Sequence, residues 1–322
     1  MLPQKMKAVV IESGGDAREV LNVRDVAIPE RHSGEALVKV DARPVQPADL
    51  MFIGNRYRLK PKFPQIAGLE GSGLIVAVNN DTSFVHGERV AFRYPGTWAE
   101  YISVPTRLLY PVPTGVMAET AAQFSLNPIT AYGLLDELNL RSGDGIAINA
   151  ATSSVAQLVA ALARLRNIHV VGIVRTEGRI ELPFPTVVSE VEDIAKAALS
   201  LNDGRPFAGF LDSIGGAVIK NMLPALRQGA TIVSYGLLGQ SPVQLFNADM
   251  IYKNLAWKGF GVDHWLSCSV DRRRVMLDEL WAAINGGQVS LPVRSRYSLD
   301  QVQRAAADAS SVGAFGKVVL VG

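Results

Sequence analysis

The first third of the chain has short runs of alternating apolar and polar residues between turn-forming residues. The segments EALVKVDAR, GSGLIVAV, ERVAFR and AEYISVP have the β-branched, partly alternating composition that is typical of strands. Glycine, proline and an Asn-Asp pair stand between them, as expected of turns. Residues 1 to about 110 are therefore predicted to be all-β, and a small barrel is the expected architecture.

The hydrophobic spacing changes near Asn127. The segment NPITAYGLLDELNL has helical spacing, and a second helical stripe runs from Val155 to Leu165. Strand patterns alternate with this helical or loop material in the segments GIAINA, IHVVGIV, FAGFLDSIGG, ATIVSYG and LAWKGF. Strands that alternate with helices imply right-handed crossovers and a parallel sheet.

Several local signals refine this picture. Ser189 and Glu192 have the spacing of a capping box that opens a helix in EVEDIAKAAL. Only Arg175–Pro185 separates IHVVGIV from a possible strand TVV, which is an unusually short crossover. The tail contains the helical segment RRRVMLDELWAAINGG and ends in the strand segment GKVVLVG.

Composition narrows the class of protein. A length of 322 residues favours two domains, and 48% hydrophobic residues with 29 Gly and 17 Pro are typical of a globular protein with sizeable cores. The net charge of +2 gives no bulk attraction to nucleic acid or membranes. The single cysteine, Cys268, excludes a disulfide framework and a multi-cysteine zinc site. No signal-peptide core or membrane-spanning stretch is evident, and a cytoplasmic location is expected.

Ordered short motifs give the chain a family resemblance. It resembles the medium-chain dehydrogenase/reductases, and most of all their zinc-free branch of quinone reductases and mitochondrial-type 2-enoyl thioester reductases. The matching segments run in the family's order over nearly the whole chain: VQPADLMFIGNRYRLKPKFPQIAGLEGSG, GERVAF, GTWAEY, NPITAYGLL, INAATSSVAQ, FLDSIGG, TIVSYGLLGQSPV, LAWKGF and GKVVL.

The resemblance implies an α/β protein of two domains. A GroES-like β-barrel catalytic domain would comprise residues 1–126, completed by 266–322. A Rossmann domain with a doubly wound parallel sheet would comprise residues 127–265. The resemblance also implies a homodimer paired along the strand of LAWKGF, which is an edge that is exposed unless it is paired.

The loop that would bind a dinucleotide lacks glycine. Aligned on Val155, the three glycine positions of a Rossmann fingerprint hold Ala151, Ser153 and Ala156. Because the Cβ of Ser153 disfavours positive φ, an ordinary backbone conformation is expected here. The helix amino end still offers N–H groups, and Thr152, Ser153 and Ser154 add hydroxyls. We interpret the loop as holding a cofactor by hydroxyls; the alternative is an ordinary Ser/Thr helix cap.

The end of the second strand of the parallel sheet indicates which nucleotide binds. Arg175 stands there in GIVRTEG, and an arginine accommodates the 2′-phosphate of NADPH, whereas an acid would accept from a ribose hydroxyl. The enoyl reductases often carry a second arginine two residues later, where this chain has Glu177; Arg179 could replace it. NADPH is the expected cofactor, and the alternative is that Arg175 is a solvated cation.

The resemblance implies further residues that line the cofactor. Phe260 and Val262 would offer backbone groups to the nicotinamide amide. Tyr235 and Phe260 could equally be ordinary core aromatics. The full implied set is Asn127, Val155, Tyr235, Gly236, Phe260, Val262 and Lys317.

No catalytic metal is expected. Zinc alcohol dehydrogenases of the superfamily bind the metal through a cysteine and a histidine, and the corresponding residues here are Gln46 and Leu69. Neither an amide nor an alkyl side chain is a usual zinc ligand.

The resemblance places Tyr57, in GNRYRLKP, where the enoyl reductases have their catalytic tyrosine, with one extra residue before it. A neutral phenol can donate a proton or a hydrogen bond to a developing enolate. The alternative is a loop aromatic that covers the barrel mouth. Trp98 could shape an acyl pocket. Arg58 belongs to a basic group that could meet the phosphates of an acyl carrier or could simply be solvated, namely Arg56, Arg58, Lys60 and Lys62.

Three functions remain open from the sequence. The first is NADPH-dependent reduction of an activated C=C bond, such as that of a 2-enoyl thioester. The second is quinone reduction on the same scaffold. The third is a non-catalytic nucleotide-binding protein, which the glycine-free loop and the short crossover would suit, although the presence of Tyr57, Arg175 and Lys317 argues against it.

Overall fold

The computed structural model describes residues 2–79, 82–176, 181–239, 241–267, 269–311 and 315–322. The chain forms two compact units, one of residues 1–126 with 291–322 and the other of residues 127–290. No helix in the described ranges has the length and apolar character needed to cross a membrane.

The first unit consists mainly of antiparallel strands. Its strands are β1 (Lys5–Ile11), β2 (Asn22–Ala27), β3 (Glu35–Val45), β4 (Gln65–Ile66), β5 (Glu70–Ala77), β6 (Arg89–Arg93), β7 (Tyr101–Pro105), β8 (Leu109–Pro111), β15 (Val293–Tyr297) and β16 (Lys317–Val321). Three of them form a small sheet in the order β2-β1-β4. The others form a sheet in the order β15-β16-β3-β5-β6-β8, with β7 also paired to β3. The predicted strands are confirmed, but the region is not all-β, because two short α-helices lie in it at Ala17–Val20 and Pro47–Ile53.

Short helices connect these strands. They are α1 (Ala17–Val20), α2 (Pro47–Ile53), α3 (Ala118–Ala122) and α11 (Val302–Ala309). Helix α2 begins with proline at its first position, where the missing N–H costs nothing, and Asp49 accepts a hydrogen bond from the Gln46 N–H at 2.8 Å. Together with β1 and β16, helices α2 and α11 pack around a core that contains Phe52, Trp98 and Leu320.

The second unit is built on a parallel sheet. Its strands are β9 (Gly145–Asn149), β10 (His169–Val174), β11 (Thr186–Val188), β12 (Phe207–Asp212), β13 (Leu226–Ser234) and β14 (Ala256–Gly259). They are ordered β11-β10-β9-β12-β13-β14, and all pairs are parallel. Counted from β9, this is the 3-2-1-4-5-6 order of a Rossmann fold, in which ligands bind where the strand order reverses, between β9 and β12. The short strand TVV is confirmed as β11.

Seven helices of the second unit lie in the described ranges: α4 (Asn127–Glu137), α5 (Ser154–Leu165), α6 (Ile194–Ser200), α7 (Ala217–Met222), α8 (Asn247–Tyr252), α9 (Val262–Trp265) and α10 (Val270–Asn285). The predicted capping box of Ser189 and Glu192 is wrong. Helix α6 begins later, and Asp193 caps it by accepting from the Lys196 N–H at 2.9 Å. The Ser189 N–H is used instead by the sheet, where it donates to Val174 O.

The structure also differs from the expected second domain boundary at residue 266. Residues 266–290 belong to the second unit, and the chain returns to the first at residue 291. Arg272 of α10 forms an ion pair with Asp136 of α4, and its guanidinium lies 5.4 Å from the ring centroid of Trp265. These contacts hold the amino end of α10 to the second unit, and the helical sequence pattern could not reveal them.

Candidate functional site

The loop between β9 and α5 has the geometry of a hydroxyl-capped helix start. Ser153 has φ −70° and ψ 153°, and its hydroxyl accepts a hydrogen bond from the Ala156 N–H at 3.2 Å. The expected ordinary conformation at this glycine position is confirmed. The first i→i−4 bond runs from Gln157 N–H to Ser153 O, so the amides of Ser154 and Val155 precede the helical ladder. Such amides, at the positive end of the helix dipole, suit a phosphate.

The turn into this loop is strained at one residue. Ala150 has φ +48°, so the ordinary backbone expected for the loop does not extend to this position. The left-handed conformation lets Ala150 O accept from Ser153 N–H at 2.8 Å, while Ala151 N–H donates to Ile173 O at 3.2 Å. An alanine in this region of φ costs about 1–2 kcal/mol. The loop therefore stores strain next to the point where the strand order reverses.

A glycine on the neighbouring strand makes room for this loop. A Cβ placed on Gly172 of β10 would lie 2.6 Å from the Cβ of Ala151 and 2.7 Å from the ring of Phe184. Ala151 occupies the first glycine position of the fingerprint, so its methyl group fits because the next strand lacks a side chain there. The sequence of the loop alone contains no signal of this compensation, because Gly172 lies on another strand.

Tyr235 extends from the end of β13 toward the same loop. The Tyr235 hydroxyl lies near the side chains of Ser153 and Ser213. Burial raises the pKa of Tyr235 to about 12, so the phenol stays neutral at physiological pH. Gly236 packs closely on Ser213, whose Cβ would lie 2.6 Å from a Cβ at residue 236. The predicted cofactor residues Tyr235 and Ser153 are thus adjacent. Residue 236 must be glycine because of its contact with Ser213, whether or not a ligand is bound.

Arg175 lies at the carboxyl end of β10 with an exposed side chain. It forms no ion pair with another residue of the described ranges. Glu177 and Arg179, which the sequence analysis weighed as its companions, lie outside the described residues, as does Cys268.

The remaining predicted cofactor residues of the second unit lie at helix starts and strand ends. Asn127 begins α4, and Val262 begins α9 with its side chain buried. The Phe260 N–H donates to Ser234 O at 2.8 Å, so the carbonyl is the backbone group of Phe260 that remains for a ligand. Its ring packs on Gly133 of α4, where any Cβ would lie 2.7 Å from it.

In the first unit, Tyr57 follows α2 in an exposed basic loop. Its N–H and that of Arg56 both donate to Met51 O, at 3.0 and 2.8 Å. The ring is partly buried against the core, and the Arg58 guanidinium lies 5.6 Å from its centroid. The side chains of the predicted basic group are exposed, and Lys60 Nζ donates to Asn55 O at 2.9 Å. The loop therefore combines one anchored phenol with several solvent-facing cations.

Trp98 does not lie where a substrate could reach it. Its side chain is 0% exposed in the core of the first unit, and it packs on Gly68, whose added Cβ would lie 2.2 Å from the indole. The suggested role of Trp98 in shaping an acyl pocket is therefore not supported. A large apolar ring gains most by full burial, and the GTW motif could not distinguish a core position from a pocket wall.

Gln46, at one of the two positions where the resemblance implies a zinc ligand in the zinc enzymes, belongs to a buried polar cluster. The Gln46 amide donates to Glu70, which also accepts from Ser125 Oγ at 3.0 Å and from Leu126 N–H at 2.7 Å. Leu69 is buried in the core. The pKa of Glu70 is raised to about 8 and that of Asp49 to about 7, in both cases first because burial penalises the charged form.

Lys317 of β16 supplies the positive charge of this cluster. Desolvation lowers its pKa, while the carboxyls of Glu70 and Asp49 act in the opposite direction. The structure thus places a predicted cofactor residue beside two buried acids that the sequence analysis did not select. The sequence offers one weak signal for each acid: Glu70 stands among apolar residues in GLEG, and Asp49 stands at a helix start in PADL. Neither motif shows that the two acids are buried together.

Comparisons with known proteins place the chain in a family. Residues 32–114 match the model of the alcohol dehydrogenase GroES-like domain, and residues 177–320 match that of the zinc-binding dehydrogenases. The chain is 33% identical over 298 residues to the mitochondrial enoyl-[acyl-carrier-protein] reductase of Arabidopsis thaliana, an alignment that covers 88% of this chain and 79% of the relative. The chain belongs to the medium-chain dehydrogenase/reductase family.

Two further members of the family show the same likeness over almost the full length. The mitochondrial enoyl-[acyl-carrier-protein] reductase of Xenopus tropicalis is 29% identical, with 98% of this chain and 95% of the relative covered. A structure described as a proposed NADPH:quinone reductase from Bacillus thuringiensis superposes with a TM-score of 0.89 at 25% identity, covering 99% and 100% of the two chains.

Membership of the medium-chain dehydrogenase/reductase family makes this protein an oxidoreductase of a family that uses nicotinamide cofactors. The predicted resemblance and fold class are confirmed: a GroES-like domain with a Rossmann domain. The name of the second matching model refers to zinc, but this member has an amide at residue 46 and an alkyl chain at residue 69. Metal independence remains a prediction that rests on those two side chains.

The acids beside Lys317 give this family member a testable dependence of stability on pH. Both folded pKa values are raised, so folding takes up protons between the ordinary values near 4 and the folded values of about 7 and about 8. The free energy of unfolding should therefore fall as the pH rises through this window, by up to about 1.4 kcal/mol per pH unit for each carboxyl. Urea unfolding of the Glu70→Gln variant should show a flatter pH profile than that of the wild type, and a profile unchanged by the substitution would contradict this account. The control is Glu19→Gln, which removes an exposed carboxylate from α1.

Proposed function

We propose that this oxidoreductase reduces the activated C=C bond of a 2-enoyl thioester with NADPH. The observation that carries the proposal is the likeness to proteins named enoyl-[acyl-carrier-protein] reductase, at 33% identity over 88% of the chain. The exposed basic loop around Tyr57 supports it, because acyl carriers present their thioester on a phosphate-bearing arm and cations bind phosphate.

The second unit has residues that fit the nucleotide. The amides of Ser154 and Val155 and the hydroxyl of Thr152 would meet its phosphates at the amino end of α5. The room that Gly172 leaves for Ala151 lets the loop pass β10 without a glycine of its own. Arg175, exposed at the end of β10, would pair with the 2′-phosphate.

Arg175→Ala should weaken NADPH binding by about 10- to 150-fold, because a charged hydrogen bond contributes roughly 1.5–3 kcal/mol. NADH lacks the 2′-phosphate, so its affinity should be nearly unchanged. Fluorescence titration of both nucleotides measures the difference. Equal losses for the two nucleotides, or tighter NADH binding by the wild type, would refute the assignment of NADPH.

The residues of the chain would divide the chemistry between them. When bound, NADPH supplies the hydride that reduces the β-carbon of the enoyl group. The Tyr57 hydroxyl would donate to the thioester oxygen, or protonate the α-carbon, as enolate charge develops. Lys317, whose charged form is favoured by Glu70 and Asp49, would contribute positive charge near the cofactor.

Quinone reduction is the second candidate, favoured by the likeness to the Bacillus thuringiensis protein. Oxidation of NADPH by the purified protein should be followed with crotonyl-CoA and with a soluble quinone. The proposal expects a higher kcat/KM for crotonyl-CoA. Turnover of the quinone alone would replace it with the second candidate.

We propose that the protein is a homodimer paired along β14. In the described part of the chain β14 pairs only with β13, so its outer edge is open. Trp257 on this strand is 41% exposed, and Ile251 and Tyr252 just before it are more exposed still. An open edge flanked by apolar side chains is a template for pairing with another chain.

Trp257→Lys should therefore convert a dimer into a monomer, since a lysine at a strand edge opposes pairing. Sedimentation velocity reports the mass. Met117→Lys, at an exposed apolar residue of the first unit, is the control and should leave the mass unchanged. A wild-type protein that sediments as a monomer at micromolar concentrations would refute the dimer.

A further inference from the structure

Asp212, at the carboxyl end of β12, is a buried carboxylate held by neutral donors. It accepts hydrogen bonds from Asn149 Nδ2 at 2.5 Å, from Gly215 N–H at 2.9 Å and from Ser234 Oγ at 3.1 Å. The Ile214 N–H adds a longer bond at 3.2 Å. No cation in the described ranges forms an ion pair with it, although isolated buried carboxylates are costly. The cost of burial is offset by donors from three separate strand ends.

These bonds tie together the loops that leave β9, β12 and β13. Asn149, fixed by Asp212, accepts in turn from Ser213 N–H at 2.8 Å. The backbone of Asp212 accepts from Tyr235 N–H at 2.8 Å, and Ser213 O accepts from Leu238 N–H at 2.9 Å. The network therefore lies at the carboxyl ends of the strands, on both sides of the place where the strand order reverses.

Asn149 is also the residue immediately before the strained Ala150. A left-handed alanine persists only where the surroundings hold it there. The side chain of Asn149 is 0% exposed and bonded at both of its ends, to Asp212 and to Ser213, so it anchors the strand end from which the strained turn departs. This strained turn also sets the position of the amino end of α5, because Ala150 O accepts a hydrogen bond from Ser153 N–H.

We propose that Asp212 is a positioning residue for nucleotide binding, which acts by fixing Asn149 and hence the turn that presents the amides of Ser154 and Val155. This inference rests on the proposed NADPH function. Asp212 touches no ligand in this account; its effect passes through Asn149 and the loop. Asp212→Asn places an amide N–H among groups that are already donors, so the loop should lose its fixed geometry while the fold is retained.

The test compares Asp212→Asn with Asp144→Asn, a matched acid at the opposite end of β9. Asp144 accepts from Arg141 N–H at 2.9 Å and pairs with Arg227 at 2.5 Å, so its loss also removes a held carboxylate. Thermal unfolding measures the stability of each variant, and NADPH fluorescence titration measures its affinity. Hydrogen exchange at the amides of Ala151 and Gly215 reports loop order without the cofactor.

Asp212→Asn should weaken NADPH binding by roughly three- to thirtyfold and accelerate exchange at both amides, whereas Asp144→Asn should lower the melting temperature only. If Asp212→Asn does not fold, Asn149→Ala takes its place with the same expectations. A folded Asp212→Asn or Asn149→Ala variant that binds NADPH within twofold of the wild type overturns the inference, as does an equal loss in Asp144→Asn. A wild type that binds no NADPH refutes the proposed function instead, and faster loop exchange in Asp212→Asn would still support the positioning role.

Discussion

Tyr57→Phe is expected to lower the turnover of an enoyl thioester by about 10²–10⁴-fold, the usual contribution of a positioned acid. The substitution keeps the ring, which packs partly on the core of the first unit, and removes only the donor. The backbone that carries the ring is held independently by two bonds to Met51 O, so the loop should keep its shape. The NADPH-dependent rate with crotonyl-CoA measures the loss.

Two comparisons make this result specific. Quinone reduction does not require protonation of a carbon atom, so its rate should fall less. NADPH affinity should barely change. Tyr297→Phe removes another phenol of the same unit, one that donates to Asp308 at 3.3 Å, and should leave turnover unchanged. Enoyl reduction by Tyr57→Phe within about twofold of wild type would show that Tyr57 only covers the barrel mouth.

Arg43→Met is expected to destabilise the first unit by about 3–5 kcal/mol. The side chain is fully buried, and its guanidinium donates to four backbone carbonyls, those of Val40, Thr97, Ala99 and Gly322. Desolvation lowers the pKa of Arg43 to about 10, which still leaves it charged at neutral pH. Methionine fills much of the volume but leaves all four acceptors without this donor.

Chemical denaturation of the variant measures the predicted loss. Arg296→Met is the matched control, because Arg296 lies in the same sheet but is exposed in its pair with Glu119. Its unfolding midpoint should stay close to that of the wild type. If both variants unfold at the same denaturant concentration, the buried carbonyl contacts of Arg43 do not stabilise the protein as argued.

The strands and their type were accessible from sequence because alternation and β-branched composition report directly on a half-buried strand. The order of the parallel strands and the register of β9 and β12 could not be predicted from the sequence, because they depend on contacts between distant segments. Local signals misled where a longer-range bond competed. Ser189 has the spacing of a helix cap, yet its N–H completes the sheet with Val174.

The positions of two groups of candidate residues could be predicted from the sequence, those of Arg175 at a strand end and of the hydroxyls of residues 152–154 at a helix start, while their roles stay predictions. The buried partners were not predictable. Glu70, Asp212 and Asn149 are common polar residues, and only the structure shows that they are buried, Glu70 with Ser125 and Leu126, and Asp212 with Asn149. Trp98 illustrates the reverse case, because the GTW motif made it a candidate for shaping an acyl pocket, whereas its side chain is buried in a core.

The contact between Ala151 and Gly172 has a consequence for how such proteins change over generations. The two positions share one methyl-sized space, although 20 residues separate them in the sequence. Alanine at residue 151 fits only while residue 172 of the neighbouring strand is glycine. Substitutions at the two positions are therefore expected to covary. A sequence motif that requires all the glycines in the loop will miss such proteins. A motif that also accepts a glycine at the facing position of the adjacent strand will find them.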